Sequence, residues 1–223
     1  RKAITQKTCA ILVEPIQGEG GVNIADPSYI SGLKKLCQKN GVLLIFDEVQ
    51  SGFGRTGKLF AYELYKTKPD IMTMAKALGG GVAIGAMAST NRVMKSFVPG
   101  THAATFGGNP LACSAALASL KVITGKTFLN KVTATGIYFL KRLQEIARKN
   151  PIIKEARGAG MFLALELNQP GHEIVIDCMK QGFLINCIQQ NVLRFIPPLT
   201  ISRKDIDSLI FVLSESLIKL NDK

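Results

Sequence analysis

The first half of the chain alternates apolar runs with an amphipathic segment. Cys9–Val13 and Val42–Phe46 are uninterrupted apolar runs, a pattern typical of strands that are buried on both faces. Between them, apolar residues recur at helical spacing in a segment that begins at the capping pair Asp26 and Pro27 and ends at Gly41. A strand, a helix and a strand in this order predict a parallel sheet.

Further strands and helices are predicted in the same half of the chain. The pattern favours strands at Ile71–Met74 and Val82–Ala88. It also favours a helix over Pro110–Ile123, which Asn109 precedes as its cap. A second helix, amphipathic and basic, is predicted over Phe128–Lys149.

From Ile152 onward, the pattern changes to short strands and turns, which predicts a small α+β domain. We therefore expect two domains: the C-terminal part of an α/β domain at residues 1–125, and the α+β domain at residues 126–223. The predicted elements of the second domain are strands at Ile152–Ala156, Met161–Leu167, Phe183–Ile188 and Val192–Ile196, and helices at Glu173–Lys180 and Lys204–Lys219.

Two of the predicted strands end in groups that can carry chemistry. One is followed by Asp47 and Glu48, and the other by Lys76 and a run of glycines. Open α/β sheets bind ligands just beyond the carboxyl ends of their strands. The acid and the amine could form an ordinary ion pair. They could instead form a site for pyridoxal phosphate (PLP), in which a lysine forms a Schiff base with the cofactor aldehyde and a carboxylate pairs with the ring nitrogen.

Four motifs extend this second interpretation over the chain. EPIQGEGGV, FDEVQSGFGRTG, MAKALGGG and THAATFGGNPLA begin at Glu14, Phe46, Met74 and Thr101. In this order they resemble the class III, fold-type I, PLP-dependent aminotransferases. The resemblance implies an α/β fold: part of the large PLP-binding domain, with a mostly parallel sheet, followed by a small C-terminal α+β domain. It covers the second part of the family's usual length.

The resemblance also assigns residues to the cofactor. It implies that Lys76 holds PLP and acts as general acid and base, and that Asp47 keeps the ring nitrogen protonated. It implies that Val49 packs on the ring and that Gln50 hydrogen-bonds its phenolic oxygen. Thr105 corresponds to a threonine that reaches the cofactor phosphate of the neighbouring subunit, which implies a homodimer with shared active sites.

Three further residues are assigned to the substrates by the same resemblance. Arg157, in an RGAG turn, corresponds to the arginine that binds a substrate carboxylate. Glu19, in a glycine-flanked loop, corresponds to the acid that pairs with this arginine and covers it when the other substrate is present. Ala104 stands at a substrate-side position that is often serine in the family.

The reaction implied by the family is a ping-pong transfer of an amino group. The donor would be N-acetylornithine or a similar ω-amino compound, and the acceptor 2-oxoglutarate, which becomes glutamate. This reaction belongs to amino-acid metabolism and, for N-acetylornithine, to arginine biosynthesis. Ornithine, succinylornithine and 4-aminobutyrate aminotransferases remain alternatives, because the groups that select the donor lie largely in the family's first part.

Composition limits the other classes of partner. Hydrophobic residues make up 47% and charged residues 20% of the 223 residues, as in globular proteins. Uncharged stretches fall short of the ~18 apolar residues of a membrane span, so we expect no membrane partner. Five cysteines without a CxxC motif suit reduced thiols in the cytoplasm, and no metal site is predicted. The net charge of +12 comes from scattered lysines, so we expect no nucleic-acid partner. The alternative that the protein is a basic interaction module is supported by this charge alone.

One motif superficially matches a different enzyme class, the NAD-binding oxidoreductases. Residues 52–57 spell GxGxxG. The dinucleotide fingerprint requires its glycines directly between a strand and a helix, with an acid about 20 residues further on. Here residues 47–51 intervene and Asp70 lies too close. This class therefore stays a remote alternative, and we expect the segment to be a flexible loop near the active site.

Overall fold

The computed structural model describes residues 2–221, and for Asn221 its backbone only. Contacts within this range form two compact units. The first unit contains the chain up to Ile16, Ala25–Gly54 and Lys58–Phe128, and the second contains Gln17–Ile24, Arg55–Gly57 and the chain from Leu129. Two short segments from early in the sequence therefore belong to the second unit. The predicted domain boundary between residues 125 and 126 stays a prediction.

The strands and helices of both units follow the sequence pattern closely. In chain order they are β1 (Ala10–Val13), β2 (Ile16–Gln17), β3 (Asn23–Ile24), α1 (Pro27–Asn40), β4 (Leu43–Asp47), α2 (Tyr62–Tyr65), β5 (Ile71–Met74), a 3-10 helix (Lys76–Gly79), β6 (Ala86–Ser89), α3 (Asn91–Met94), α4 (Pro110–Ile123), α5 (Phe128–Lys149), β7 (Ile153–Ala159), β8 (Phe162–Leu167), α6 (His172–Lys180), β9 (Asn186–Ile188), β10 (Val192–Phe195) and α7 (Arg203–Asn221).

The sheet of the first unit has the strand order β1-β4-β5-β6. Strands β1, β4 and β5 are parallel, and β6 is antiparallel to β5. The carboxyl ends of β4 and β5 therefore meet at one edge, where Asp47 lies opposite Thr73. The predicted α/β class with a mostly parallel sheet is confirmed.

Strand β4 is buried on one face more than on the other. Leu44 and Phe46 are fully buried, whereas Leu43 and Ile45 are half-buried. The prediction that Val42–Phe46 is buried on both faces is therefore wrong for this chain. The same prediction for Cys9–Val13 is also wrong, because Leu12 is 65% exposed. The side chains of a strand alternate between its faces, so the more buried face faces the core of the unit.

Helix α1 packs on this buried face, and both ends of the helix are well capped. Asp26 Oδ1 accepts a hydrogen bond from the Ser28 amide at 2.7 Å, and Gly41 ends the helix in the left-handed conformation. Such a cap stabilises a helix by about 1 kcal/mol. Ile30 and Cys37 then pack in one core with Leu44, Phe46, Val42 and Tyr65.

Two predicted strands begin later than the sequence pattern suggested. Strand β6 begins at Ala86 instead of Val82, because the 3-10 helix and a turn from Gly79 to Val82 occupy the preceding residues. Strand β9 begins at Asn186 instead of Phe183, because the Phe183 amide still bonds the end of α6. In both places, the glycine-rich turn or the helix end before the strand keeps the backbone from being extended.

The second unit contains an antiparallel sheet with the strand order β7-β8-β10-β9. Its central strand β8 is buried over Phe162–Leu165. Side chains from β8, β10, α5, α6 and α7 form one apolar core around Phe139, Leu165 and Leu213. Helix α5 packs closely on the β7–β8 turn at Gly136, where a Cβ atom would lie 2.3 Å from the Gly160 carbonyl oxygen.

The GxGxxG segment is an ordered, largely buried part of the fold. Gly52, Phe53 and Gly54 are buried, so the predicted flexible loop is wrong. Arg55 donates to the carbonyl oxygens of Met161 at 3.3 Å and Pro197 at 2.6 Å, and burial lowers its pKa to about 10. Arg55 therefore fastens backbone within the second unit.

Of the helices that the structure describes, none is both long and apolar enough to cross a membrane.

Candidate active site

The candidate site of the first unit is the edge where β4 and β5 end. Asp47 is the last residue of β4 and is the register partner of Thr73 on β5. Lys76 follows β5 directly, as the first residue of the 3-10 helix. Because adjacent parallel strands end at the same edge, the fold places the acid and the amine on neighbouring strand ends, as the sequence predicted.

Asp47 is half-buried, and one of its oxygens receives two hydrogen bonds. The Val49 amide donates to Asp47 Oδ1 at 3.0 Å, and the Thr73 hydroxyl donates to the same oxygen at 3.1 Å. Neither contact uses Oδ2, so the second oxygen retains its lone pairs for another donor.

Lys76 is exposed, and its backbone is left-handed with φ 46°. A residue with a side chain rarely adopts this conformation. The glycines that follow allow a tight turn against α4. At Gly80, with φ 58°, an added Cβ would lie 2.3 Å from the Ser119 hydroxyl. This fixed turn directs the chain away from the strand end and leaves the lysine amine accessible.

Glu48, next to the candidate acid, is a fully buried carboxylate for which the sequence predicted no specific role. Its oxygens accept hydrogen bonds from the amides of Ala61 at 2.7 Å and Tyr62 at 2.8 Å, and from the Ser51 hydroxyl at 2.9 Å. Burial raises the pKa of Glu48. The side chain anchors the end of β4 to the start of α2. Position alone suggested it, because it directly follows Asp47.

The other residues assigned to the cofactor lie in two places. Val49 and Gln50 are half-buried and continue the chain from Asp47. Ala104 and Thr105 lie on an exposed loop before α4. The hydrogen bonds of this loop are local, such as that from Asn109 Nδ2 to the Phe106 carbonyl at 2.9 Å. The first unit therefore brings Asp47, Val49 and Gln50 together and presents Thr105 to solvent.

A second group of candidate residues forms an ion pair within the second unit. Glu19 Oε1 lies 2.7 Å from Nη1 of Arg194, a residue of β10. We expected Glu19 to pair with Arg157, and this expectation is corrected to Arg194. The Arg194 side chain is 7% exposed, whereas that of Glu19 is 68% exposed. Arg194 Nε also donates to Asn186 Oδ1 at 3.2 Å. The arginine is therefore fixed within the fold, and the acid lies at the surface.

Arg157 is engaged with other groups. Its Nη1 pairs with Glu166 at 2.5 Å and Glu155 at 2.9 Å, and its Nε and Nη2 donate to the Gly21 carbonyl oxygen at 3.2 and 2.7 Å. With Lys154, it lowers the pKa of Glu166. All three guanidinium nitrogens are therefore used. This arrangement favours a role in fastening the Gly21 loop to β7.

A cavity of about 730 Å³ lies beside Arg194 in the second unit. Most of its lining is apolar, with Phe139, Phe195 and Ile196 among the contributors, and Arg194 and Asn186 add polar groups. A charge in apolar surroundings needs a partner. The sequence carries a signal for this residue, since Arg194 interrupts the otherwise apolar run Val192–Ile196.

Across residues 2–221, no cluster of three or more histidine, cysteine, aspartate or glutamate side chains could hold a metal ion. The cysteines that the structure describes are all free thiols.

Comparison with known proteins places this arrangement in a family. The sequence profile of "Aminotransferase class-III" matches residues 1–217, and the chain belongs to this family. It is 50% identical over 215 residues to the acetylornithine aminotransferase of Methanocaldococcus jannaschii, covering 96% of this chain and 54% of that protein. It is 43% identical to the ornithine aminotransferase of Oceanobacillus iheyensis, covering 97% of this chain and 54% of that protein.

Solved structures give the same result. The ornithine aminotransferase of Toxoplasma gondii, with PLP at partial occupancy in its active site, matches with a TM-score of 0.89 and 37% identity over 96% of this chain and 51% of that one. This chain therefore spans about half the length of the relatives it matches. Class III aminotransferases depend on PLP. The residues present fit that cofactor, because an accessible amine and a carboxylate oxygen with available lone pairs stand at adjacent strand ends.

Proposed function

We propose that this chain is part of an enzyme that moves an amino group between N-acetylornithine, or a similar ω-amino donor, and 2-oxoglutarate. The observation that carries the proposal is the placement of Asp47 and Lys76 at the ends of adjacent parallel strands, in a chain of the class III family. The 50% identity to an acetylornithine aminotransferase supports this donor. Ornithine is the second candidate donor, supported by the relative at 43% identity.

Lys76 and Asp47, at the two strand ends, would have different roles in the reaction. PLP, when bound, withdraws electrons from the substrate carbon that carries the transferred nitrogen. Lys76 would hold the cofactor through Nζ and would carry a proton to and from that carbon. Asp47 would keep the ring nitrogen protonated, because a neighbouring carboxylate favours the charged form of a base. Val49 would pack on the ring and Gln50 would bind its phenolic oxygen.

Arg194 is our candidate for the group that binds the second carboxylate of glutamate and 2-oxoglutarate. The guanidinium is nearly buried and held by Asn186, and its acidic partner Glu19 is mostly exposed. A substrate carboxylate could therefore take the place of Glu19. When the donor lacks such a carboxylate, Glu19 would neutralise the arginine again, since an unpaired buried charge is unfavourable. Arg157 would hold the loop that carries Glu19.

The assembly and location belong to the same proposal. Thr105 is exposed, and it would reach the cofactor phosphate of a neighbouring subunit in a homodimer. Ala104, which lacks a hydroxyl, would line the substrate side of that shared site. The free thiols support a reducing compartment, for which we propose the cytoplasm. With N-acetylornithine as donor, the enzyme would serve arginine biosynthesis.

The experiment follows the cofactor and the two amino transfers separately in the purified protein. Borohydride reduction followed by peptide mass spectrometry should place PLP on Lys76. The transfer from N-acetylornithine and the transfer to 2-oxoglutarate should each be measured in a single turnover, with Arg194→Gln compared with Arg157→Gln. We expect Arg194→Gln to slow the transfer to 2-oxoglutarate by ~100-fold, as for the loss of a charged hydrogen bond, and the donor transfer far less.

Arg157→Gln is the matched control, because it also removes a guanidinium that is bonded to carboxylates in the same unit. We expect it to affect both transfers to a similar and smaller extent. Ornithine in place of N-acetylornithine tests the second candidate donor. Absence of a lysine-bound cofactor in the wild-type protein would refute the proposed function. Equal slowing of both transfers by Arg194→Gln would refute only the role of the arginine.

A further inference from the structure

Thr73 contacts the strand end of β4 through both its side chain and its backbone. Its hydroxyl donates to Asp47 Oδ1 at 3.1 Å. Its carbonyl oxygen accepts from the Glu48 amide at 3.1 Å. The register of the parallel pair sets Thr73 directly opposite Asp47. The residue is thus tied to the candidate acid and to the backbone that follows it.

The two donors on Asp47 determine how its carboxylate is turned. The carboxylate rotates about a torsion with broad minima, so one hydrogen bond leaves its plane poorly defined. The Val49 amide at 3.0 Å and the Thr73 hydroxyl at 3.1 Å both use Oδ1. With Oδ1 held from two directions, the lone pairs of Oδ2 have a set orientation.

We propose that Thr73 is a positioning residue, whose hydroxyl orients Asp47 so that Oδ2 can accept a hydrogen bond from the protonated ring nitrogen of PLP. The inference rests on the proposed function. A threonine suits this task, because branching at Cβ restricts χ1 and so fixes the direction of the hydroxyl in a strand. Thr73 also lies three residues before Lys76, so the same segment orients the acid and carries the amine.

Substitutions at Thr73 can separate orientation from packing. Thr73→Val keeps the branched shape and the strand preference but removes the donor. Thr73→Ser keeps the hydroxyl. Cofactor affinity is measured by equilibrium dialysis of cofactor-free protein against PLP. We expect Thr73→Val to raise the dissociation constant of PLP by about tenfold, and Thr73→Ser to stay within about threefold of wild type. Thermal unfolding without cofactor should be nearly unchanged in both.

A double-mutant cycle tests whether Thr73 acts through Asp47. In the Asp47→Ala background, the hydroxyl has lost the carboxylate that it orients. Thr73→Val should then change the PLP dissociation constant by less than about twofold, because the coupling between two contacting residues disappears with either one. A residue that only supports the sheet would weaken cofactor binding equally in both backgrounds.

The outcomes distinguish this inference from the proposed function. A wild-type protein that fails to bind PLP overturns both. If wild type binds PLP and Thr73→Val binds it equally well, the positioning role is wrong while the function stands. The same holds if Thr73→Val loses the same affinity with and without the Asp47 carboxylate. Loss that appears only with Asp47 present, and that Thr73→Ser rescues, supports the inference.

Discussion

Lys76 combines an accessible amine with an unfavourable backbone. Its φ of 46° falls in the left-handed region, which costs an L-residue roughly 1–2 kcal/mol. The residues on both sides are well anchored, by β5 before it and by the turn at Gly80 after it. The fold therefore imposes the conformation on the lysine. Strain of this kind is common where function fixes the residue type.

At the residue scale, we predict that Lys76→Gly is more stable than Lys76→Ala without cofactor. Glycine adopts positive φ without steric strain, so the difference in the free energy of unfolding should be about 1 kcal/mol. Urea denaturation of the two cofactor-free variants measures it. Neither variant retains the amine, so cofactor attachment does not enter the comparison. Equal midpoints and slopes would show that position 76 is unstrained.

The sequence placed Asp47 and Lys76 correctly at neighbouring strand ends, but it predicted the wrong arginine as the partner of Glu19. The acid and the amine stand directly at strand ends, so local patterns were sufficient. Both Arg157 and Arg194 lie on strands of one sheet, and only the tertiary path of the 17–24 segment decides which of them meets the Glu19 carboxylate. The sequence could not predict the partners of Glu48 for the same reason, since they depend on how residues 49–62 fold back onto the end of β4.

At the scale of elements, Asp70 connects a strand with two helices. Its carboxylate accepts from the Leu44 amide of β4 at 2.9 Å, pairs with Lys34 of α1 at 3.1 Å and lies 3.9 Å from Arg92 of α3. Burial opposes ionisation, but the Leu44 hydrogen bond and Lys34 outweigh it and lower the pKa of Asp70. These side-chain contacts of Asp70 therefore stabilise the register of β4 and β5 in addition to the hydrogen bonds between the two strands.

We predict that Asp70→Asn lowers the free energy of unfolding by about 1–3 kcal/mol at neutral pH, through the loss of charged hydrogen bonds. Because the folded pKa is lowered, the stabilisation by Asp70 is present above the unfolded pKa of about 3.9 and is lost as pH falls through the folded value. In unfolding measured from pH 7 downward, the difference between wild type and variant should therefore shrink progressively below about pH 4. A constant difference would contradict this.

At the scale of the whole molecule, apolar side chains remain exposed around the loop of Thr105. Phe106 is 83%, Leu111 74% and Leu117 68% exposed. Exposed apolar patches on a globular protein commonly mark contact surfaces. These residues support the proposed homodimer, in which Thr105 of one subunit completes the site that contains Lys76 of the other. The sequence implied this sharing only by family resemblance, because a single chain carries no signal for its partner's position.

Mixing two inactive variants tests the shared site. Lys76→Ala and Thr105→Ala proteins should each have low activity alone. After exchange of subunits at equal amounts, half of the dimers are mixed and one site in each has both residues intact, so activity should rise to about a quarter of wild type. Mass spectrometry of the native dimers confirms the exchange. Mixed dimers without a gain in activity would argue that each subunit uses its own threonine.

The buried carboxylate of Glu48 has a consequence for protein engineering. It bonds Ala61, 13 positions further along the chain, and so closes the intervening segment at both of its ends. A transplant of the DEVQ tetrapeptide into another scaffold would leave this acid buried without its donors, which is unfavourable. The smallest portable piece is therefore the stretch from Asp47 to Tyr62 together with the neighbouring strand. A recipient scaffold must offer room for that whole closed loop.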